Sequence, residues 1–255
     1  LMMLFGAKVN AGFCEPDFCP EPRYFMPFPQ QTHEIHVFLR LMGFLGIPLQ
    51  GDHLEFPLLA DDVEEFQRLS SNFNLVPKRY ICIHAGARLL TRRWPVENFA
   101  LVANRLGAQG WTIVLTGSTD EEALVGEVSR RLKHVHINLA GKTSLGALGV
   151  VVKNAALLIS NDTGVAHIAS AVEVPSVVVV SGSDPVRWSP LNAALHKTVV
   201  HPVDCRPCFE AQCPFDLKCA WGVEPEHVNQ EAQMLLIRKV SDEKAITDPH
   251  MACPR

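Results

Sequence analysis

From Tyr80 onward the sequence alternates between short apolar runs and amphipathic segments. The runs YICIH at 80–84 and SVVVVSG at 176–182 have the composition of buried strands. The segment PVENFALVANRLGAQG at 95–110 has helical periodicity, with Pro95 in the first turn and glycines at the end. Apolar strands separated by helices predict a parallel sheet that is covered by helices on both faces.

Further elements continue this pattern toward the C-terminus. A capping box, Thr119-x-x-Glu122, marks the predicted start of the second helix. The other predicted strands are 111–117, 136–141, 155–160 and 198–200, and the other predicted helices are 119–133, 144–154 and 165–172. Residues 77–255 are therefore predicted to form a Rossmann-like domain, whose ligands bind beyond the carboxyl ends of the strands.

Residues 1–76 have a different character. They are rich in proline and aromatic residues, and contain one amphipathic helix at 33–46 and a second predicted helix at 61–73. HLEFPLL at 53–59 is interpreted as a strand. One strand does not make a sheet domain, so we expect this segment to be the C-terminal part of a truncated N-terminal domain.

Charge and hydropathy argue against two classes of protein, those with a broad nucleic-acid-binding surface and those with a membrane-spanning helix. The net charge of −4 over 255 residues argues against a nucleic-acid-binding surface. The sequence also contains no apolar run near the roughly 20 residues that span a bilayer.

The segment SNDTGVAHIASA at 160–171 combines a strand end with a helix start. Asn161 or Asp162 is predicted to cap the helix, leaving the N–H groups of Thr163 and Gly164 free to bind a phosphate. His167 follows Gly164 by three residues, so its ring is expected on the same side. The alternative is a plain capped helix with a buried histidine.

Two further turns follow strands at the same predicted sheet edge. HAGARLLTRRWP at 84–95 carries Arg88, Arg92 and Arg93, and the planar guanidinium group suits a diphosphate. TGSTDEEA at 116–123 places Glu121 or Asp120 where it could accept hydrogen bonds from ribose or base. The alternative for the turn at 84–95 is a solvated basic loop, and the alternative for the turn at 116–123 is simple helix capping. Together the turns predict a site for a nucleotide diphosphate.

Several familiar motifs are incomplete. AGKTS at 140–144 lacks the first glycine of a phosphate-binding P-loop, and no G-x-G-x-x-G follows a strand. The histidines in HEIH at 33–36 are three residues apart rather than four, which disfavours a zinc protease. A dinucleotide dehydrogenase and a zincin-type protease are therefore disfavoured, and no cofactor is expected.

The order and spacing of these motifs resemble glycosyltransferase family 9, the ADP-heptose:lipopolysaccharide heptosyltransferase family. The resemblance rests on HAGA…RRWPVENFALVANRL, VLTGSTDEE, LAGKTSL and SNDTGVAHIASAVEVPSVVVVSGSDPVRWSP, and covers about residues 80–240. It implies a GT-B fold, in which two Rossmann-like domains face a cleft and the second holds the sugar nucleotide. It also implies inverting transfer of heptose from ADP-heptose to a lipid-linked oligosaccharide acceptor, at the inner face of the cytoplasmic membrane, with peripheral membrane contact left open.

The resemblance also implies roles for individual residues. Arg92 lies where the family usually has a lysine on the diphosphate, and Glu121 matches an acidic residue that binds the nucleoside. A donor-binding block that places main-chain N–H groups on the phosphates is matched by Asp162, Thr163, Gly164 and His167.

One family feature has no counterpart here. An acidic residue near the start of the first domain acts as the general base in the family, and nothing in this sequence aligns with it. We therefore expect this chain to bind nucleotide and to transfer little sugar. The alternatives are a non-catalytic nucleotide-binding module and another GT-B enzyme with a different nucleotide sugar, such as an epimerase.

Four cysteines are closely spaced in CRPCFEAQCPFDLKC. Cys205, Cys208, Cys213 and Cys219 could hold zinc or an iron–sulfur cluster, although the spacing is not that of a standard zinc finger. The preferred interpretation is structural cysteines without a metal.

Overall fold

The computed structural model describes the backbone of residues 6–247 and the side chains of residues 6–237. The chain divides into two compact units, a small one that includes the residues up to His53 with Val186–Ser189, and a large one that begins at Leu54. None of the helices in the described part of the chain combines the length and the apolar character needed to cross a bilayer.

The small unit contains two short parallel strands and one helix. Its elements are β1 (Gly12–Cys14), β2 (Phe25–Pro27) and α1 (Glu34–Phe44). Arg187, from the returning segment, donates from its Nε to Glu34 Oε2 at 2.6 Å. His33 Nε2 lies 2.8 Å from the carbonyl oxygen of Ser189, so two polar contacts hold that segment to α1.

The large unit is a six-stranded parallel sheet with helices on both faces. Its strands are β3 (Tyr80–His84), β4 (Thr112–Thr116), β5 (His136–Asn138), β6 (Leu157–Asn161), β7 (Ser176–Val180) and β8 (His196–Val200). Its helices are α2 (Ala60–Phe73), α3 (Val96–Ala108), α4 (Glu122–Arg130), α5 (Leu145–Asn154), α6 (Gly164–Ala171), α7 (Pro185–Trp188), α8 (Lys218–Trp221) and α9 (Pro225–Thr247). Helix α7 belongs to both units, since the division falls within it.

The strand order is β5-β4-β3-β6-β7-β8, with every neighbouring pair parallel. This is a doubly wound order, in which successive strands are added outward from β3 on one side and outward from β6 on the other, so the strand order reverses between these two central strands. The predicted α/β class with a Rossmann-like parallel sheet is confirmed. Every residue of β6 and of the valine-rich β7 is buried, as expected for strands covered on both faces.

Two cores cover the faces of the sheet. On one face α3 packs with α9, and Trp94, Phe99 and Leu106 are at most 1% exposed. On the other face α2 packs on α5, through Phe66 and Leu69. Because α2 packs there, the large unit begins at Leu54, whereas the sequence placed the division at 76/77.

Other predicted elements differ from the structure. HLEFPLL at 53–59 forms no strand, and its last residue is the N-cap of α2. The predicted capping box at Thr119 is wrong by one residue, because a 3-10 turn at Thr119–Glu121 precedes α4 and the Ser118 N–H donates to Glu121 Oε2 at 2.9 Å. β1, β2 and α9 were not predicted.

Candidate functional site

A cavity of about 760 Å³ lies beyond the carboxyl ends of the central strands. It meets residues that follow β3, β4 and β6, and therefore includes the point where the strand order reverses. Ligands of doubly wound sheets bind at this position, and the volume is that of an ordinary small-molecule site. Among the predicted residues, the lining contains Arg88, Glu121, Thr163 and Gly164, while Arg92, Asp162 and His167 lie outside it.

Helix α6 begins at the cavity. Its N-cap is Thr163, with no side-chain cap hydrogen bond, so the expected cap by Asn161 or Asp162 is wrong. The first N–H groups of a helix have no partner within it, and the positive end of the dipole adds to their attraction for an anion. A Cβ built on Gly164 would meet no atom within 4 Å, so this glycine leaves open space beside those N–H groups.

The buried polar side chains before α6 hold the neighbouring turns instead. Asn161 Oδ1 accepts from the Trp94 N–H at 2.8 Å, and Asn161 Nδ2 donates to the carbonyl of Ala85 at 2.8 Å. The Ser183 hydroxyl donates to Asp162 Oδ2, which joins the turn after β7 to the start of α6. Both residues therefore position segments around the cavity without lining it.

The arginines of the turn after β3 divide into two groups. Arg88 and Arg93 line the cavity, and Arg93 Nε donates to the carbonyl of Ala87 at 2.8 Å. Arg92 ends a 3-10 turn beside Gly182, and its Nε is buried without a hydrogen-bond partner. The 3-10 turn directs the adjacent side chains of Arg92 and Arg93 apart. Arg93 therefore lines the cavity, whereas the sequence analysis favoured Arg92.

Glu121 forms an acidic wall of the cavity. Its side chain is 14% exposed. A Cβ on Gly86 would lie 2.0 Å from Glu121 Oε1, so only a glycine leaves room for the carboxylate at this place. Asp120 lines the same side of the cavity.

Several lining residues were missed by the sequence interpretation. Thr143, Ser144 and Leu145 bring the N-terminus of α5 to the cavity, and the Ser144 hydroxyl accepts from the Ala147 N–H at 3.1 Å as its cap. The serine before the apolar run was a usable signal for this second helix N-terminus. Phe56 supplies an aromatic wall from an extended segment that carried no such signal.

The cysteine group lies in a separate segment. Cys213 Sγ accepts from the N–H groups of Phe215 and Leu217 at 3.4 and 3.3 Å, and Cys219 is buried. Thr91 Oγ1 donates to the carbonyl of Glu210, which joins this segment to the turn after β3. Within the described side chains no three histidine, cysteine or acidic residues gather as a metal site. Metal analysis of protein purified without chelators distinguishes the two interpretations of these thiols.

The sheet order and the position of the cavity define an α/β protein with a Rossmann-like, doubly wound sheet. Residues 31–219 match the family described as glycosyltransferase family 9 (heptosyltransferase). This match spans most of the chain, and the protein therefore belongs to that family.

Individual relatives agree with this assignment. Lipopolysaccharide heptosyltransferase 3 of Escherichia coli K12 is 35% identical over 118 residues, which are 45% of this chain and 34% of that protein. The chain thus spans about a third of the length of this curated relative.

Solved structures show the same fold. The glycosyl transferase family 9 protein from Veillonella parvula superposes with a TM-score of 0.73 at 23% identity, covering 84% of this chain and 63% of that one. E. coli heptosyltransferase WaaC, solved with ADP-2-deoxy-2-fluoro heptose, gives a TM-score of 0.55 at 18% identity, covering 82% of this chain and 57% of that one. The predicted GT-B class is confirmed by these neighbours.

Proposed function

We propose that the cavity binds ADP-heptose and that the protein takes part in inverting heptosyl transfer to a lipopolysaccharide core acceptor. One observation carries the proposal: the N-terminus of α6, Arg88 and Arg93 converge on the same cavity as Glu121. The positive groups suit a diphosphate, and the carboxylate suits ribose hydroxyls. The ADP-heptose analogue bound by WaaC supports the choice of donor.

The same groups would assist departure of the nucleotide. When the bond to the sugar breaks, negative charge develops on the leaving diphosphate. Helix N–H groups and arginines that are already in place stabilise that charge without reorganisation. Thr163 and Gly164 begin α6 at the cavity, and Arg88 lines it, so these residues are proposed to hold the diphosphate.

Calorimetric titration of the whole chain with ADP, UDP and GDP tests the donor. We expect saturable binding of ADP and much weaker binding of the other two nucleotides. Tighter binding of UDP or GDP than of ADP would contradict ADP-heptose as the donor, while leaving the cavity as the nucleotide site. Failure of all three to bind would contradict the proposed site itself.

Transfer requires a separate measurement. Incubation with ADP-heptose and a heptose-deficient lipopolysaccharide core, followed by mass spectrometry, detects addition of one heptose, and NMR of the new linkage reports inversion. A nucleotide-binding module without catalysis would bind ADP and yield no product, which would contradict the proposed transfer.

A further inference from the structure

The carboxylate of Glu121, which ends the 3-10 turn before α4, has neighbours from two other segments at the cavity wall. Glu121 Oε2 accepts from the Ser118 N–H at 2.9 Å, and the missing side chain of Gly86 makes room for Oε1. Behind it lies His84, the last residue of β3, which also borders the cavity and is 8% exposed. His84 Nε2 is 3.7 Å from Glu121 Oε2, a polar contact longer than a hydrogen bond.

The other ring nitrogen of His84 indicates which tautomer is present. His84 Nδ1 lies 3.0 Å from Thr116 Oγ1. Burial lowers the pKa of His84, although the nearby Glu121 carboxylate opposes that shift, so the ring is neutral and carries one N–H. If that N–H were on Nδ1, the lone pair of Nε2 would face a carboxylate. The Thr116 hydroxyl lies 3.0 Å from Nδ1 and 3.4 Å from the Ile83 carbonyl, and its one proton can serve only one of them. Donation to the nearer Nδ1 places the N–H of His84 on Nε2, where it points to Glu121.

We propose that His84 is a positioning residue for nucleotide recognition: its Nε2–H orients the Glu121 carboxylate to accept hydrogen bonds from the ribose hydroxyls. This inference rests on the proposed function, because it assigns the support of the carboxylate in the same site. A carboxylate that is hydrogen-bonded to a main-chain N–H and attracted by an imidazole N–H at 3.7 Å loses little orientational freedom when the ribose binds. The affinity gained from each hydroxyl should therefore depend on His84.

Two substitutions separate the two ring nitrogens. The amide nitrogen of a glutamine lies near the position of Nε2, so His84→Gln keeps a donor toward Glu121. The shorter His84→Asn keeps a partner for Thr116 and removes that donor. Thermal unfolding of each variant controls for loss of the fold, since His84 is buried.

The readout is the ratio of dissociation constants for 2′-deoxy-ADP and ADP, measured by calorimetry on the whole chain, with 3′-deoxy-ADP in parallel. We expect loss of a hydroxyl to weaken binding about tenfold in the wild type and in His84→Gln. In His84→Asn the ratio should fall toward one. A purely structural role would weaken all three nucleotides equally and leave the ratio unchanged.

Gly86→Ala provides an independent variant, because its methyl group displaces the same carboxylate while His84 remains. It should lower the ratio as His84→Asn does. An unchanged ratio in a folded His84→Asn variant would overturn the role of His84. An unchanged ratio in Gly86→Ala would show that the Glu121 carboxylate does not read the ribose hydroxyls, and would overturn the proposal at its premise. Absence of ADP binding by the wild type would instead contradict the proposed function.

Discussion

Asn161 and Trp94 are joined by a buried hydrogen bond of 2.8 Å between the asparagine Oδ1 and the tryptophan N–H. Asn161 ends β6, and Trp94 directly precedes Pro95, the N-cap of α3, so one side chain joins the end of β6 to the segment that leads into α3. Its amide also donates to Ala85, and the residue has no exposed surface. The geometry of the cavity thus depends on a polar group that does not line it.

Asn161→Ala should destabilise the protein strongly, because it leaves a buried N–H and a buried carbonyl without partners. We expect a loss of about 2–4 kcal/mol in the free energy of unfolding, measured by urea denaturation. Asn104→Ala is the matched control: Asn104 also bridges two main-chain groups, those of Arg131 and Lys133, but near the surface. Equal losses in the two variants would contradict the importance of burial.

Gly164→Val should abolish nucleotide binding with little loss of stability. The new side chain enters the open space beside the first N–H groups of α6, where no protein atom lies within 4 Å of the Cβ. Calorimetry with ADP and thermal unfolding measure the two effects. Gly126→Val is the control, because Gly126 is also helical and its Cβ would meet only Arg130, at 3.6 Å. Undiminished ADP binding by Gly164→Val would remove this helix end from the site.

Arg88→Gln should weaken ADP binding about tenfold and leave adenosine binding unchanged, because its charge is proposed to act on the diphosphate. Arg105→Gln removes the same charge from a surface ion pair with Glu226 and should change ADP affinity less than about twofold. Isothermal calorimetry at constant ionic strength compares the two variants. An equal effect on adenosine would show that Arg88 contacts the nucleoside.

Acidification should destabilise the protein through His196. Burial lowers the pKa of His196 from 6.5 to about 4, and its Nδ1 lies 2.8 Å from Ser176 Oγ. The unfolded chain binds the proton first, so stability decreases as the pH falls from about 6.5 to 4, at up to about 1.4 kcal/mol per pH unit.

His196→Asn should flatten this dependence in urea denaturation, since asparagine does not titrate. His84, whose pKa is also lowered by burial, leaves a slope of the same sign. The control is His134→Asn at an exposed histidine, which should keep the full slope. A wild-type slope in His196→Asn would contradict the assignment.

The sheet could be predicted from the sequence because its strands are apolar on both faces and its helices carry recognisable starts. The start of the large unit at Leu54 could not be predicted, because the packing of α2 on α5 is a tertiary contact that leaves no local signal in the sequence. Within the site, Glu121 and Gly164 followed from their position after strands. Asn161 points into the protein and bonds Trp94 and Ala85, and Arg93 rather than Arg92 lines the cavity. Both outcomes depend on the backbone conformation of the turns, which side-chain chemistry alone does not determine.

The reversal of strand order between β3 and β6 also has a kinetic consequence. The pairing of Ile81 with Leu157 brings together residues 76 positions apart in the sequence. Such a contact closes a long loop and is slow to form compared with neighbouring strand and helix contacts. The walls of the cavity come from both sides of this pairing, so no partly folded chain that lacks it can present the complete cavity. The moment at which nucleotide affinity appears during refolding would therefore report when the pairing of β3 with β6 is complete.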